Sequence, residues 1–128
     1  MHTKGILHRD IKSDNIFCNS EGEIKIADLG LSVCLTKDQA YRKTRAGSNN
    51  WISPEIVEGK IYSSEIDVWS FGAFIFELGK GEPPFNQFKN EESLFEAIAK
   101  IDQRPFRVVG RSAHYNDLLQ KCMKVDPA

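Results

Sequence analysis

The chain has 128 residues, 41% of them hydrophobic and 27% charged, enough for one globular domain around one core. Its net charge of −1 excludes the broad basic field of a nucleic-acid or membrane-surface binder. The longest apolar-rich run, Val68 to Phe76, falls well short of the roughly 20 residues a membrane span needs.

The three cysteines, Cys18, Cys34 and Cys122, form no CxxC pair and read as structural thiols in a reducing compartment. No charged-then-apolar leader opens the chain, so the expected setting is cytoplasmic or nuclear.

In chain order, the first predicted elements are two short strands. Ile16, Phe17 and Cys18 precede the turn Asn19-Ser20-Glu21-Gly22, and Glu23 to Ala27 follows with Ile24 and Ile26 alternating against Glu23 and Lys25. A third strand is expected around Ser32 to Leu35. From Thr36 to Asn50 the chain is polar and aperiodic, and Lys37 to Arg45 holds four basic residues and one acid. Such a segment is a solvated loop or a functional one.

Helices dominate the remainder. Ser64-x-x-Asp67 resembles a capping box, and the segment through Leu78 is apolar on nearly every side, which predicts a buried helix. Gly79 and Gly81 end it, and Pro83-Pro84 forbids continuation. Asn90 is placed to cap a helix with the stripe Leu94, Phe95, Ile98 and Ile101. Ser112 starts another that carries Tyr115, Leu118, Leu119 and Cys122. The expected class is α+β, mainly helical, with a small β-hairpin at the N-terminal end.

The hairpin bears on chemistry. A turn centred between Glu21 and Gly22 sets Asn15 opposite Asp28 at the open end. Converging amide and carboxylate oxygens suit Mg²⁺. Asp10 and Lys12 lie just upstream, so a base, a cation and two metal ligands gather in one place, a recurrent set for phosphoryl transfer. Asn and Asp also flank hairpins simply as turn formers, and either residue alone carries little weight. The spacing is more specific: His8-Arg9-Asp10, then Asn15, then Asp28-x-Gly30 after a hairpin.

With those pieces the chain resembles the large, C-terminal lobe of a eukaryotic protein kinase over essentially its whole length, 1–128. The matching motifs are "HRDIKSDN", "ADLG" (Ala27 to Gly30), "SPE" (Ser53 to Glu55), "DVWSFG" (Asp67 to Gly72), "GEPPF" (Gly81 to Phe85) and the closing "LLQKCMKVDP". Lys12, two places after Asp10, is the serine/threonine pattern. "HRDIKSDNIF" and "GSNNWISPE" are most similar to sterile-twenty-like or mixed-lineage kinases.

The resemblance implies transfer of the ATP γ-phosphate to a protein Ser or Thr hydroxyl, with ATP and Mg²⁺ as cofactors. It makes Asp10 the catalytic aspartate, Lys12 the γ-phosphate contact, and Asn15 and Asp28 the metal ligands. It makes Thr44 the activation-loop phosphosite, served by an upstream kinase, and Arg9 the clamp on that phosphate, aided by Arg42, Lys43 or Arg45. Phosphate adds about −1.5 to −2 charge. Ser48 would bridge Asp10 and Lys12 and help select the acceptor hydroxyl. Asp67 would hydrogen-bond the loop that carries Asp10 or merely cap its own helix. His8 would face the core, and Trp51 and Trp69 would pack.

The chain departs from the family pattern as well. It shows no G-x-G-x-x-G after a strand, no V-A-I-K-like lysine and no partner glutamate, so the N-terminal lobe is absent from it. Glu55 lacks the arginine with which the family pairs it. The 128-residue chain alone is expected to give no phosphotransfer. Leu29 replaces the usual Phe of D-F-G, a change active kinases tolerate. The competing readings are an inactive kinase-like module docking partners through Asn90 to Ile101 and Lys37 to Arg45, and a metal-dependent phosphohydrolase. The latter leaves "SPE", "DVWSFG" and "GEPPF" unexplained.

Overall fold

Alternation at Ile24 and Ile26 produces the expected hairpin. In the computed structural model, which describes residues 1–101 and 106–125, β2 (Ile16–Cys18) pairs antiparallel with β3 (Ile24–Ile26). Its register differs by one residue from the expected one. Ile16 faces Ile26 and Cys18 faces Ile24, so the turn centres on Glu21. The cause is local. The Asn19 side-chain oxygen accepts the N–H groups of Glu21 and Glu23, and Gly22 takes a left-handed φ of 82°. That makes a loop of odd length, with glycine where a positive φ is required. Ala27, not Asp28, therefore lies against Asn15, donating its N–H to the Asn15 carbonyl at 2.8 Å.

The third expected strand is β4 (Val33–Cys34). It pairs with β1 (Ile6–Leu7), a two-residue strand too short to show alternation in the sequence. Residues 36–50 are not wholly irregular. Arg42 forms an antiparallel bridge with Tyr62, and a 3₁₀ turn covers Asn49–Trp51.

Four helices follow. The short α1 (Pro54–Val57) begins with proline at its first position, where no N–H is needed. The long α2 (Glu65–Lys80) passes through Gly79 and ends at Gly81, with φ 87°. Gly79 is required inside the helix, because a Cβ there would lie 2.6 Å from the Tyr115 hydroxyl. Asn90 caps α3 (Glu91–Ala99) by accepting the Ser93 N–H, and Ser112 caps α4 (Ala113–Cys122) by accepting the Tyr115 N–H, both as expected.

Two expectations for α2 need correction. Ser64 makes no side-chain cap bond. Asp67 instead spends its carboxylate on the loop after β1, accepting the backbone N–H groups of His8 and Arg9 at 2.8 Å each. An aspartate is a methylene shorter than the Glu or Gln of a true capping box, and these two donors already hold it. The helix is also not buried all round. Val68, Phe71 and Leu78 are exposed on a stripe that no element of the described residues covers. Leu118 of α4 is likewise exposed rather than inside.

The buried faces of α2 join two apolar clusters. Ile66 packs with Leu7, Ile52, Ile56, Tyr62, Leu94 and Ile98; Trp69 and Ala73 pack with Val108, Leu119 and Met123. The Asp126-Pro127 end of the "LLQKCMKVDP" motif lies outside the described residues. Among those described, no helix is long and apolar enough to cross a membrane, and Cys18, Cys34 and Cys122 are free thiols.

Where α2 meets α4, Gly72 lets the helices close. A Cβ at Gly72 would lie 2.5 Å from Met123 Cγ and 2.8 Å from Cys122 Cβ. Gly72→Ala should therefore cost about 1–3 kcal/mol, read as a lower urea midpoint with unchanged slope. A midpoint equal to the parent's would show that the helices part freely.

Beside this junction, Glu55 and Trp69 line a cavity with Ser64, Glu65 and Lys121, and among the described residues Glu55 Oε2 and Trp69 Nε1 are buried without hydrogen-bond partners. Burial pushes the Glu55 carboxyl above the ordinary glutamate range. The raised value means that the stability the neutral acid contributes is complete below the unfolded-state pKa and is lost as pH rises through the folded one. Glu55→Gln should raise the melting temperature at neutral pH and give little gain near about pH 4. An equal gain at both pH values would rule out burial of the charge as the cause.

Candidate functional site

The loop between β1 and β2 crowds polar side chains because each has a partner there. His8 is fully buried. Its Nδ1 accepts the Asp10 N–H at 3.2 Å, and its Nε2 lies 2.9 Å from the Ala27 carbonyl. This is the arrangement of a neutral ring that donates from Nε2. As expected for a core-facing residue, His8 has no exposed edge. Its work is to tie the loop to the end of β3.

Asp10 is the centre of the cluster. Its Oδ1 accepts the Ser48 hydroxyl at 2.7 Å, and its Oδ2 accepts the Asn15 side-chain amide at 3.2 Å. The same amide donates to the Asp10 carbonyl at 2.8 Å. Lys12 Nζ stands 3.8 Å from Asp10 Oδ2 and 4.0 Å from Asp14. Ser48 thus reaches Asp10, as expected, but makes no hydrogen bond to Lys12. A carboxylate ringed by a hydroxyl, an amide and an ammonium, and still partly open to solvent, is held in one orientation while keeping room for a proton.

Asn15 is buried, and with its amide nitrogen committed to Asp10 its Oδ1 accepts no hydrogen bond among the described residues. Asp28 follows Ala27, which is held from both ends of the loop by the His8 ring and the Asn15 carbonyl. Asp28 has a left-handed backbone, φ 61°, and its Oδ1 accepts the Gly30 N–H at 3.1 Å. A side chain on Gly30 would press on that oxygen at 3.0 Å. The sequence predicts Asn15 and Asp28 as a direct pair across the ribbon. The structure pairs Asn15 with Ala27 instead and leaves Asp28 one residue out of that register.

Among the described residues no three His, Cys, Asp or Glu side chains gather around one point. The donors that remain, one amide oxygen and one exposed carboxylate, are hard oxygens only. That set fits Mg²⁺, which keeps several waters and takes phosphate oxygens as further ligands.

Arg9 has φ 66°, and its guanidinium donates to the Leu31 carbonyl at 2.7 Å and to the Tyr62 hydroxyl at 3.2 Å. Thr44 is exposed, and its carbonyl accepts the Tyr62 hydroxyl. Two of the three basic neighbours expected to help Arg9, Arg42 and Arg45, are engaged elsewhere. Arg42 donates to the carbonyls of Cys34, Gln39 and Tyr41; Arg45 pairs with Glu91 and stacks 4.1 Å from the Phe95 ring centre.

Two participants were not foreseen. Glu77 of α2 accepts the Ser13 hydroxyl at 2.9 Å and the Trp51 indole N–H at 3.2 Å, tying the loop to the segment that carries Ser48. The available signal was that Glu77 is the one charged residue between Val68 and Gly79. Tyr62 gave no such signal, since a lone tyrosine reads as packing.

The protein kinase domain model matches residues 1–128. The serine/threonine-protein kinase pakC of Dictyostelium discoideum is 37% identical over 128 residues, covering 100% of this chain and 27% of that protein. The serine/threonine-protein kinase SKM1 of Saccharomyces cerevisiae is 49% identical over 94 residues, 73% of this chain and 14% of that protein. The serine/threonine-protein kinase PAK 1 of Mus musculus is 33% identical over 126 residues, 98% of this chain and 23% of that protein. The chain thus spans only 14% to 27% of the length of these relatives. The match of the protein kinase domain model over the whole chain shows that the chain belongs to the protein kinase family.

Proposed function

We propose that residues 1–128 form the phosphate-handling, acceptor-docking part of a serine/threonine protein kinase, its large lobe, and that the β2–β3 hairpin carries a metal ligand at each side of its open end. The observation that carries this reading is the Asp10 carboxylate, oriented by Ser48 on one oxygen and Asn15 on the other.

In this reading Asp10 accepts the proton of the acceptor Ser or Thr hydroxyl as that oxygen attacks. Its two hydrogen bonds fix the lone pair that faces the incoming group, and Ser48 samples the acceptor side of the same carboxylate. Lys12 holds its ammonium beside Asp10 and meets the transferring phosphoryl group. Asn15 Oδ1 and the Asp28 carboxylate hold Mg²⁺. Bound with ATP, that ion supplies charge neutralisation at the phosphates. Thr44 receives a regulatory phosphate from an upstream kinase, and Arg9, which has no carboxylate partner among the described residues, receives that phosphate.

The test is phosphotransfer from Mg²⁺-ATP to a basic protein acceptor by the whole protein in which these residues occur. Asp10→Asn keeps the size and hydrogen-bonding shape of the side chain but removes the base, and should lower turnover by about 10²–10⁴-fold. Asp28→Asn should raise the Mg²⁺ concentration needed for half-maximal rate. Activity that survives Asp10→Asn unchanged would refute the catalytic assignment, and no phosphotransfer from the unsubstituted whole protein would favour the docking-module reading.

A further inference from the structure

Tyr62 is almost fully buried, 1% exposed, in the cluster formed by Leu7, Ile52, Ile56 and Ile66. A buried tyrosine needs a partner for its hydroxyl. Here it has two, on different segments. The Arg9 guanidinium donates to it at 3.2 Å, and it donates to the backbone carbonyl of Thr44. The Tyr62 main chain is tied to the same segment, exchanging N–H···O bonds with Arg42 at 2.8 and 2.9 Å. Arg9 is half-buried, and its guanidinium finds only neutral oxygens, from Leu31 and Tyr62, among the described residues. The cation that precedes Asp10 is therefore aimed at residue 44 by a hydroxyl standing on the core.

We infer that Tyr62 is a positioning residue that couples the state of Thr44 to the loop carrying Asp10. The ring is a rigid peg anchored in the apolar cluster. Its hydroxyl holds Arg9 on one side and the Thr44 backbone on the other, so a phosphate arriving on Thr44 meets a guanidinium already oriented and short of a counter-charge. Without the hydroxyl, Arg9 keeps its bond to Leu31 but loses its fixed relation to residue 44, and the Thr44 carbonyl loses its donor. The consequence for catalysis rests on the kinase reading above. The mechanical coupling does not.

Tyr62→Phe removes the hydroxyl and leaves the ring in its cluster. Limited trypsin digestion reads the coupling directly, because Lys43 is exposed beside Thr44 and Lys25 is exposed on the distant hairpin. Cleavage after Lys43 should speed up about fivefold, the loss of roughly one hydrogen bond, while cleavage after Lys25 stays unchanged. Arg9→Gln, which leaves the Tyr62 hydroxyl bonded to the Thr44 carbonyl, should give a smaller acceleration, and adding it to Tyr62→Phe should give little more than Tyr62→Phe alone, since Arg9 reaches residue 44 only through that hydroxyl. In the whole protein, the gain in phosphotransfer on Thr44 phosphorylation should shrink by a similar factor in Tyr62→Phe. Cleavage after Lys43 at the parent rate, or equal acceleration at Lys25, would overturn the inference. Loop acceleration in a protein with no phosphotransfer at all would instead refute the kinase reading and leave the coupling standing.

Discussion

The Asp67 carboxylate sits on α2 at 2% exposure and accepts two successive backbone N–H groups, those of His8 and Arg9. The His2 ring approaches the same carboxylate at 2.7 Å. Two successive N–H groups aimed at one carboxylate require a sharp change of backbone direction, and Arg9 supplies it with φ 66°. A left-handed arginine costs on the order of 1–3 kcal/mol. Two hydrogen bonds to a charged acceptor, each contributing about 1.5–3 kcal/mol, outweigh that cost. The loop is thus bent by the buried helix beneath it, and not by its own propensities.

Everything at the site depends on that bend. With His8 turned inward, its ring reaches Asp10 on one side and Ala27 on the other. With Asp10 turned outward, Ser48 and Asn15 reach its two oxygens. Ala27, fixed by His8 and Asn15 together, delivers Asp28 beside the loop. Glu77, three helical turns along α2 from Asp67, holds Ser13 and Trp51 and so brings the segment bearing Ser48 onto the same helix. One helix therefore supports both sides of Asp10 through two carboxylates. The apolar clusters on its flanks keep them from moving relative to each other.

Much of this was legible in the sequence, for identifiable reasons. Charged and amide residues packed into "HRDIKSDN" marked the loop, alternation at Ile24 and Ile26 marked the hairpin, and Asn90 and Ser112 marked their helices through capping chemistry. The hairpin register was not legible, because it turns on the Asn19 side chain replacing a backbone acceptor and on Gly22 adopting a positive φ. The burial of α2 was overstated, since composition shows that a helix could be buried all round but not which neighbours cover each face. Strand β1, two residues long, carries no periodicity to detect. Tyr62 was invisible because its role lies in a single oxygen that joins residues 53 and 18 positions away in the chain.

Asp67 holds the loop by the His8 and Arg9 amides, and residue-by-residue amide hydrogen exchange reads those two bonds. These two N–H groups, although they lie in a loop, should exchange as slowly as amides in the middle of α2. Exchange at the rate of the exposed segment around Lys37 would show that Asp67 does not hold the loop, and the placement of Asp10, Asn15 and Asp28 would then need another cause.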